Sequence, residues 1–179
     1  GLAQAEGTYA SLTYDLKDKQ SSEQMNHVYG LNVGQKLGNG LTAEVRMEDE
    51  IIAVGDGTQK QEGLAQVKLS KDFSFGPVTP YVAGAVGQKS KSTSDFPFWV
   101  AEVGVKANVI VGTVKYNIRR RTAFDNSTTN AFDTNEQTIG FDYNLTKNDT
   151  IGVAYKLERR NDSVSSEYNT KGIYYTRNF

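Results

Sequence analysis

The chain has 179 residues and a formal net charge of −1, which suits one domain of ordinary size and offers no electrostatic basis for a nucleic-acid partner. The absence of cysteine excludes a disulfide framework and thiol chemistry. Only 37% of the residues are hydrophobic, and no stretch approaches the roughly 20 apolar residues of a membrane helix. A transmembrane β-barrel is compatible with this composition because its strands present apolar side chains to lipid at only every second position.

The first residues, GLAQAEG, place Ala3 and Ala5 before Glu6 in the A-x-A pattern of a secretory cleavage site. An ordinary alanine-rich start gives the same letters, so both interpretations stay open. We predict that residues 1–5 are a signal-peptide or expression remnant and that residues 6–179 form one barrel domain.

Period-two alternation dominates the rest of the chain and predicts β-strands. The segment LTAEVRMEDE is decisive, because Leu41, Val45 and Met47 alternate strictly with charged residues such as Glu44 and Arg46. Ten segments follow the pattern, in chain order YASLTYDL, VYGLNVGQKL, LTAEVRMEDE, LAQVKLSK, VTPYVAGAVGQ, FWVAEVGVK, VIVGTVKYNIRRR, QTIGFDYNL, TIGVAYKLER and YNTKGIYYTRNF. Both faces of the fifth segment are small and apolar, so its phase is left unassigned.

Connections of two kinds alternate between the predicted strands. Short ones are predicted at 38–40, 72–77, 107–108 and 146–149, and longer polar ones at 17–25, 50–62, 88–97, 122–135 and 160–167. This asymmetry is typical of outer-membrane barrels, which have short periplasmic turns and longer external loops. The sequence therefore predicts an all-β fold, a closed antiparallel up-and-down transmembrane β-barrel of ten strands in a bacterial outer membrane, with both termini periplasmic.

A soluble lipocalin-like barrel would show the same alternation with its apolar side chains inside. Aromatic residues near strand ends, a polar face rich in charge and glycine, and an aromatic residue at the end of the last strand favour the membrane. The residues predicted to face lipid or headgroups include Trp99, Arg120, Arg159, Tyr175 and Phe179. Arg120 and Arg159 are expected either to contact lipid A phosphates of lipopolysaccharide or to be plain surface arginines above the membrane.

Two resemblances extend this prediction. GIYYTRNF resembles the C-terminal signature of Gram-negative outer-membrane barrels, in which a final Phe is recognised by the barrel-assembly machinery; Arg177 stands where those proteins usually have an aromatic or apolar residue. LGNGLTAEVRMEDE, VKYNIRRR and QTIGFDYNLTKNDTIGVAYKLERRND resemble the acidic-oligosaccharide porins, the twelve-stranded oligogalacturonate and sialic-acid channels. That resemblance implies a basic lumen lining that passes anionic sugars, made here of Lys115, Arg119, Arg121, Lys156 and Arg160.

The polar face of the strands supplies the predicted lumen. Its basic residues are Arg46, Lys68, Lys106, Lys115, Arg119, Arg121, Lys156 and Arg160, and its acidic residues are Asp15, Glu44, Glu48, Glu102, Asp142 and Glu158. Acids dominate the third strand and bases the seventh. If these side chains reach one another they form an ion-pair network that plugs the tube; if they do not, the lumen stays wet and conducts small polar solutes.

We predict a monomeric channel for passive diffusion of small hydrophilic solutes, anions among them, through a narrow charged lumen. The alternative is a non-conducting barrel that acts as an adhesin, binding or structural protein through long extracellular loops. An enzyme is not favoured, because the single histidine, His27, falls on the lipid phase and no catalytic triad, metal cluster or phosphate loop occurs. No cofactor or metal is predicted.

Overall fold

Ten β-strands make up most of the residues that the computed structural model describes, which are 7–20, 22–53, 55–92, 94–125, 132–161 and 165–179. The strands are β1 Gly7–Lys19, β2 Met25–Gly38, β3 Leu41–Ala53, β4 Gln59–Asp72, β5 Val78–Ser90, β6 Asp95–Val109, β7 Gly112–Ala123, β8 Thr134–Asn144, β9 Asp149–Arg160 and β10 Glu167–Asn178. The predicted N-terminal remnant, 1–5, lies outside the described residues.

Each strand pairs antiparallel with its neighbours in sequence, and β1 pairs with β10 to close the sheet. The closing register joins Tyr9 to Asn178 at one end and Lys19 to Tyr168 at the other. This confirms the predicted fold, a closed up-and-down barrel of ten strands. No helix in the described ranges is long and apolar enough to cross a membrane.

The two ends of the barrel differ in their connections. We call "turn end" the end that carries the connections 39–40, 73–77, 110–111 and 145–148, and "loop end" the opposite one. At the turn end, Asn39 (φ 52°) and Gly40 (φ 75°) form a two-residue turn in which both central residues have positive φ, the backbone that an Asn-Gly pair favours. The GNG signal therefore identified its turn correctly.

The predicted turn at 107–108 is wrong. Ala107 pairs with both Val78 and Val114, Asn108 pairs with Thr113, and the chain reverses at residues 110–111 instead. The reversal at 110–111 pairs Val105 with Tyr116, which keeps the apolar side chains of β6 and β7 on one face. A reversal at 107–108 would keep the same faces together, because the two registers differ by an even number of residues, so the alternation does not distinguish the two turns.

The connections at the loop end are shorter than predicted, because the strands extend further. They span residues 20–24, 54–58, 91–94, 124–133 and 161–166, and the strands contain 11 to 15 residues. Polar stretches that resembled loops, such as the residues before Gln20, continue to pair: Asp18 pairs with Asn169, and Gln59 with Ala53. A spanning strand needs about 9–11 residues, so the additional residues project beyond an apolar band of membrane thickness.

The two faces of the sheet are inverted relative to a soluble protein. Large apolar side chains stand exposed on the outer face, among them Leu12, Met47, Val67, Val103 and Ile139. Charged side chains are buried inside, among them Asp15, Lys17, Glu44, Glu50, Lys89, Glu102 and Glu158. A continuous apolar exterior of this extent is incompatible with water, so the lipocalin-like alternative does not fit.

The unassigned fifth strand takes the same arrangement, with Ala85 and Lys89 buried inside and Val82 and Val86 exposed outside. An apolar cluster lies inside the barrel near the loop end. It consists of Leu64, Ala85, Phe96, Phe98, Val100, Ala123 and Phe132. Phe132 belongs to the β7–β8 connection, so this connection folds inward at that point. Its ring lies edge-on to Phe96 and Phe98, with centroids 4.7 and 5.1 Å away.

Candidate functional site

The lumen holds the charged residues predicted for it. The side chains of the eight basic and six acidic residues predicted to line the lumen are buried or half-buried on the inner face. Of the five residues predicted to face lipid or headgroups, all lie on the outer phase of their strands, and Arg120, Arg159, Tyr175 and Phe179 are exposed there. The question raised by the sequence, whether the lumen charges meet, is therefore answered by their contacts.

Near the loop end the charges form one continuous chain that reaches from β4 to β9. Lys89 contacts Glu62 (3.0 Å) and Glu50 (3.3 Å). Lys17 continues the chain from Glu50 (3.8 Å) to Glu158 (3.3 Å). Arg160 completes it with an Nε–Oε1 distance of 2.7 Å to Glu158. Three of these contacts, Lys89–Glu50, Lys17–Glu50 and Lys17–Glu158, each reach across one intervening strand, so the chain runs along the inner wall from β5 to β9.

Most members of this loop-end chain are deeply buried, and some have further hydrogen-bond or aromatic partners. The side chains of Lys17, Glu50, Lys89 and Glu158 are between 6% and 9% exposed. Asn26 donates a hydrogen bond of 2.7 Å to Glu50, and the ring of Tyr168 lies 4.2 Å from the Arg160 guanidinium carbon. A buried ion pair is favourable only with such additional partners, and the loop-end chain has them.

Ion pairs in the middle of the lumen connect β9 to β1 and β7 to β8. Lys156 reaches across β10 to Asp15 at 2.7 Å, and it can do so because the residue between them is Gly172, where a Cβ would collide with the Asp15 carboxylate. Arg119 contacts Glu136 at 3.5 Å. Between these pairs lies a cavity of about 40 Å³, lined by Asp15, Lys17, Val28, Glu48, Glu50, Lys89, Arg119, Arg121, Glu136, Lys156, Glu158 and Thr170.

Every carboxylate that lines this central cavity has a basic partner. Asp15 pairs with Lys156, Glu48 with Arg46, Glu50 with Lys17 and Lys89, Glu136 with Arg119, and Glu158 with Lys17 and Arg160. The segregation of acids on β3 and bases on β7, visible in the sequence, is therefore compensated locally. The lumen charges therefore do reach one another, and their contacts leave the cavity of about 40 Å³ between them.

Near the turn end a different arrangement recurs. A tyrosine ring lies over a glycine of the next strand, and the tyrosine hydroxyl donates a hydrogen bond to a carboxylate. Tyr9 passes over Gly34 to Glu44, with an oxygen–oxygen distance of 2.6 Å. Tyr174 passes over Gly152 to Asp142. A Cβ on either glycine would collide with the tyrosine ring, so these two positions require glycine for close approach.

A third tyrosine follows the same rule on the other side of the barrel. The Tyr81 ring lies against Gly104, and its hydroxyl donates to Glu102 at 2.7 Å. Lysines complete this region: Lys68 contacts Glu44, Lys115 contacts Asp142 and Lys106 contacts Asp72, at 3.4, 2.8 and 2.7 Å. These lysine side chains are 26–32% exposed, so the turn end is more accessible to water than the loop end.

Several members of the network were not predicted from the sequence. Lys17, Glu50, Glu62 and Lys89 lay in segments predicted as loops, and Glu136 lay just before a predicted strand. The missed signal was the alternation itself, which continues through them: Glu44, Arg46, Glu48 and Glu50 share one phase of β3. Phe96 and Phe98 likewise share the inner phase of Glu102 on β6.

His27 lies on the outer face of β2, where its Nδ1 is 2.8 Å from the Tyr14 hydroxyl. The described residues contain no group of three or more side chains that could hold a metal ion. The polar chemistry of the described structure is thus concentrated in the lumen.

A model of the Gram-negative porin family matches residues 2–163. The chain belongs to the Gram-negative porin family. No curated protein matches it at a significant level. Membership identifies the protein as an outer-membrane barrel of the channel-forming type, in agreement with its apolar exterior and charged lumen.

Solved structures of outer-membrane channels share this porin's fold. An outer membrane channel from Pseudomonas putida F1 aligns with a TM-score of 0.67 and 10% identity over 97% of this chain and 95% of that one. The NanC porin aligns at 0.54 and 12% over 93% and 98%. The KdgM porin in complex with disordered oligogalacturonate aligns at 0.51 and 14% over 94% and 99%. At these identities the likeness shows the fold alone.

Proposed function

We propose that this porin is a monomeric, low-conductance channel for small hydrophilic solutes with a preference for anions, oriented with its turn end toward the periplasm. The observation that supports this proposal is the lumen. Its wall is polar and charged except at the apolar cluster near the loop end, and among the charged side chains lies a cavity of about 40 Å³, room for about three water molecules. The loop-end chain of ion pairs narrows the path, which supports a small current rather than a wide aqueous pore.

The preference for anions rests on the bases of β7. Arg119 and Arg121 both line the central cavity. Arg119 has one carboxylate partner, Glu136, at the long distance of 3.5 Å. Arginine stays charged at any working pH, so the β7 side of the cavity presents two permanent positive charges to a passing solute. The likeness to the KdgM porin, whose structure holds oligogalacturonate, points in the same direction for the class of solute.

Single-channel recording in planar bilayers tests the proposal. The wild-type barrel should give a small conductance, and a salt gradient should give a reversal potential of the sign for anions. Replacing Arg119 and Arg121 by Ser should shift that potential toward cation preference. The matched control is Arg177→Ser, which removes the same charge from the outer face, where Arg177 contacts Asp149, and should leave selectivity unchanged.

A folded barrel that carries no current would contradict the channel. It would favour the second function class, a non-conducting barrel that binds a partner at its loop end. The buried loop-end chain and the inward-folded Phe132 give that alternative a structural basis.

The outer face near the loop end fits contacts with lipopolysaccharide, and we propose them for the predicted headgroup-facing arginines. Arg120, Asn135, Arg159 and Glu167 occupy one register row across β7 to β10. Arg159 is held by Glu167 at 2.6 Å, which leaves Arg120 as the exposed cation suited to a lipid A phosphate. Lipid A retained on the purified barrel, measured by native mass spectrometry, should fall in Arg120→Gln and persist in Arg177→Gln.

A further inference from the structure

Arg121 is the one charged side chain lining the central cavity that has no partner of opposite charge within ion-pair distance among the described residues. Its side chain is buried, with the whole residue 8% exposed. The ring of Phe132 covers one face of the guanidinium, 4.2 Å from its central carbon. The Nε atom is buried and has no hydrogen-bond partner. The Nε–H group of Arg121 is therefore an unsatisfied donor beside a cavity whose carboxylates are all paired.

The neighbouring carboxylates are committed to other bases. Glu158 already contacts Lys17 and Arg160, and Glu136 contacts Arg119. Arg121 therefore has no direct ion-pair contact among the described residues, and Glu158 and Glu48 attract it only from beyond that distance. A buried charge without a directly paired counter-charge is unfavourable, and arginine cannot relieve it by losing a proton.

We propose that Arg121 holds one small monovalent anion, a halide or a carboxylate the size of formate, in the central cavity. The cavity volume of about 40 Å³ accommodates an ion of this size but excludes a sugar acid or a lipid phosphate. The covering Phe132 ring excludes water from one side of the guanidinium and so strengthens its interaction with an anion. The ion completes the lumen network in the same way that the carboxylates complete it around the other bases.

The role of this bound anion in transport rests on the proposed channel function. The binding site itself does not, because it exists whether or not the barrel conducts. Binding is therefore measured at equilibrium on the folded barrel in detergent. Urea unfolding is followed by the fluorescence of Trp99, the one tryptophan, in sodium chloride and in sodium gluconate at equal ionic strength. Gluconate is too large for the cavity.

Chloride should lower the unfolding equilibrium constant by the factor 1 + [Cl⁻]/Kd, about elevenfold at ten times Kd. Arg121→Gln should abolish the difference between chloride and gluconate. Arg177→Gln, the same substitution on the outer face, should retain it. Arg121→Lys keeps the charge and should retain a reduced chloride dependence, which keeps the test valid if the glutamine variant does not fold.

Crystals of the wild-type barrel grown in sodium bromide provide the direct observation. An anomalous peak in contact with the Arg121 guanidinium is expected. The proposal is overturned if no bromide lies there, or if a folded Arg121→Gln variant keeps the full chloride dependence. A bromide site in a barrel that carries no current would support the anion site and contradict the channel. A current in a barrel without a bromide site would support the channel and contradict the anion site.

Discussion

The two halves of the lumen use the same residue types but bury them to different degrees. Near the loop end, the side chains of Lys17, Glu50 and Lys89 are almost fully buried. Near the turn end, the lysine side chains beside their carboxylates are 26–32% exposed. Pairs in both halves reach across one strand, as Lys17–Glu50 and Lys106–Asp72 do, so burial and not the span of the pairs separates the halves. The lower exposure of the charged side chains locates the constriction in the loop-end half.

Glu50 is the residue whose substitution should lower the free energy of unfolding most. It contacts Lys17, Lys89 and Asn26, so Glu50→Gln leaves two buried ammonium groups short of a counter-charge. We expect a loss of about 3 kcal/mol in the free energy of unfolding, measured by urea titration with Trp99 fluorescence. Asp49→Asn is the control, because Asp49 precedes Glu50 on the same strand and accepts a hydrogen bond from Gln61 at the surface. This substitution should cost little stability. A cost for Glu50→Gln no larger than the control would show that the loop-end chain is not a stabilising unit.

The tyrosine–glycine contacts of the turn end should be the next most sensitive. Gly34→Ala and Gly152→Ala place a methyl group where a tyrosine ring lies, and overpacking of this kind costs about 1–3 kcal/mol. In Gly84→Ala the nearest atom to the new methyl group is 3.8 Å away, so this outward-facing variant should be tolerated. Equal losses at the three sites, in the same urea titration, would mean that strand propensity rather than the tyrosine contact sets the cost.

The smallest losses of stability are expected for single lysine substitutions, and they allow the turn-end and loop-end halves to be compared directly. The Lys106 side chain is 32% exposed beside Asp72, and the Lys89 side chain is 7% exposed between two carboxylates. Lys106→Gln should cost less than about 1 kcal/mol, and the cost should shrink further in high salt. Lys89→Gln should cost more and respond less to salt. Thermal unfolding at low and high ionic strength measures both, and a reversed order would contradict the assignment of the constriction.

The fold could be predicted from the sequence because the alternation of apolar and polar residues is a local signal. Strict alternation in LTAEVRMEDE fixes which side chains of β3 face inward without any knowledge of their neighbours. The GNG segment fixes one turn in the same local way. The turn at 110–111 could not be found like this, because alternation allows every register of β6 and β7 that differs by an even number of residues, and Ile110 and Val111 are not typical turn residues.

The connectivity of the lumen could not be predicted, because it depends on which side chains meet across the barrel. Lys156 reaches Asp15 only where Gly172 lies between them, which requires β1 to lie beside the last two strands of the chain. That Arg121 has no ion-pair partner among the described residues likewise depends on all the charged side chains around it. Sequence resemblance implied a basic lining that included Arg121, but it could not distinguish the unpaired base from the paired ones.

The pairing of β1 with β10 has a consequence for how the barrel is made. Every other strand pair is a hairpin between neighbours in sequence, whereas this seam joins Tyr9 to Asn178 and the Ser11 hydroxyl to that of Thr176. Contacts of such long sequence separation form late, since the chain must first be brought together over its whole length. The Lys156–Asp15 contact crosses the same seam. Closing the seam and drying the interior are therefore one cooperative event, and a barrel with an open seam would hold its buried charges in water.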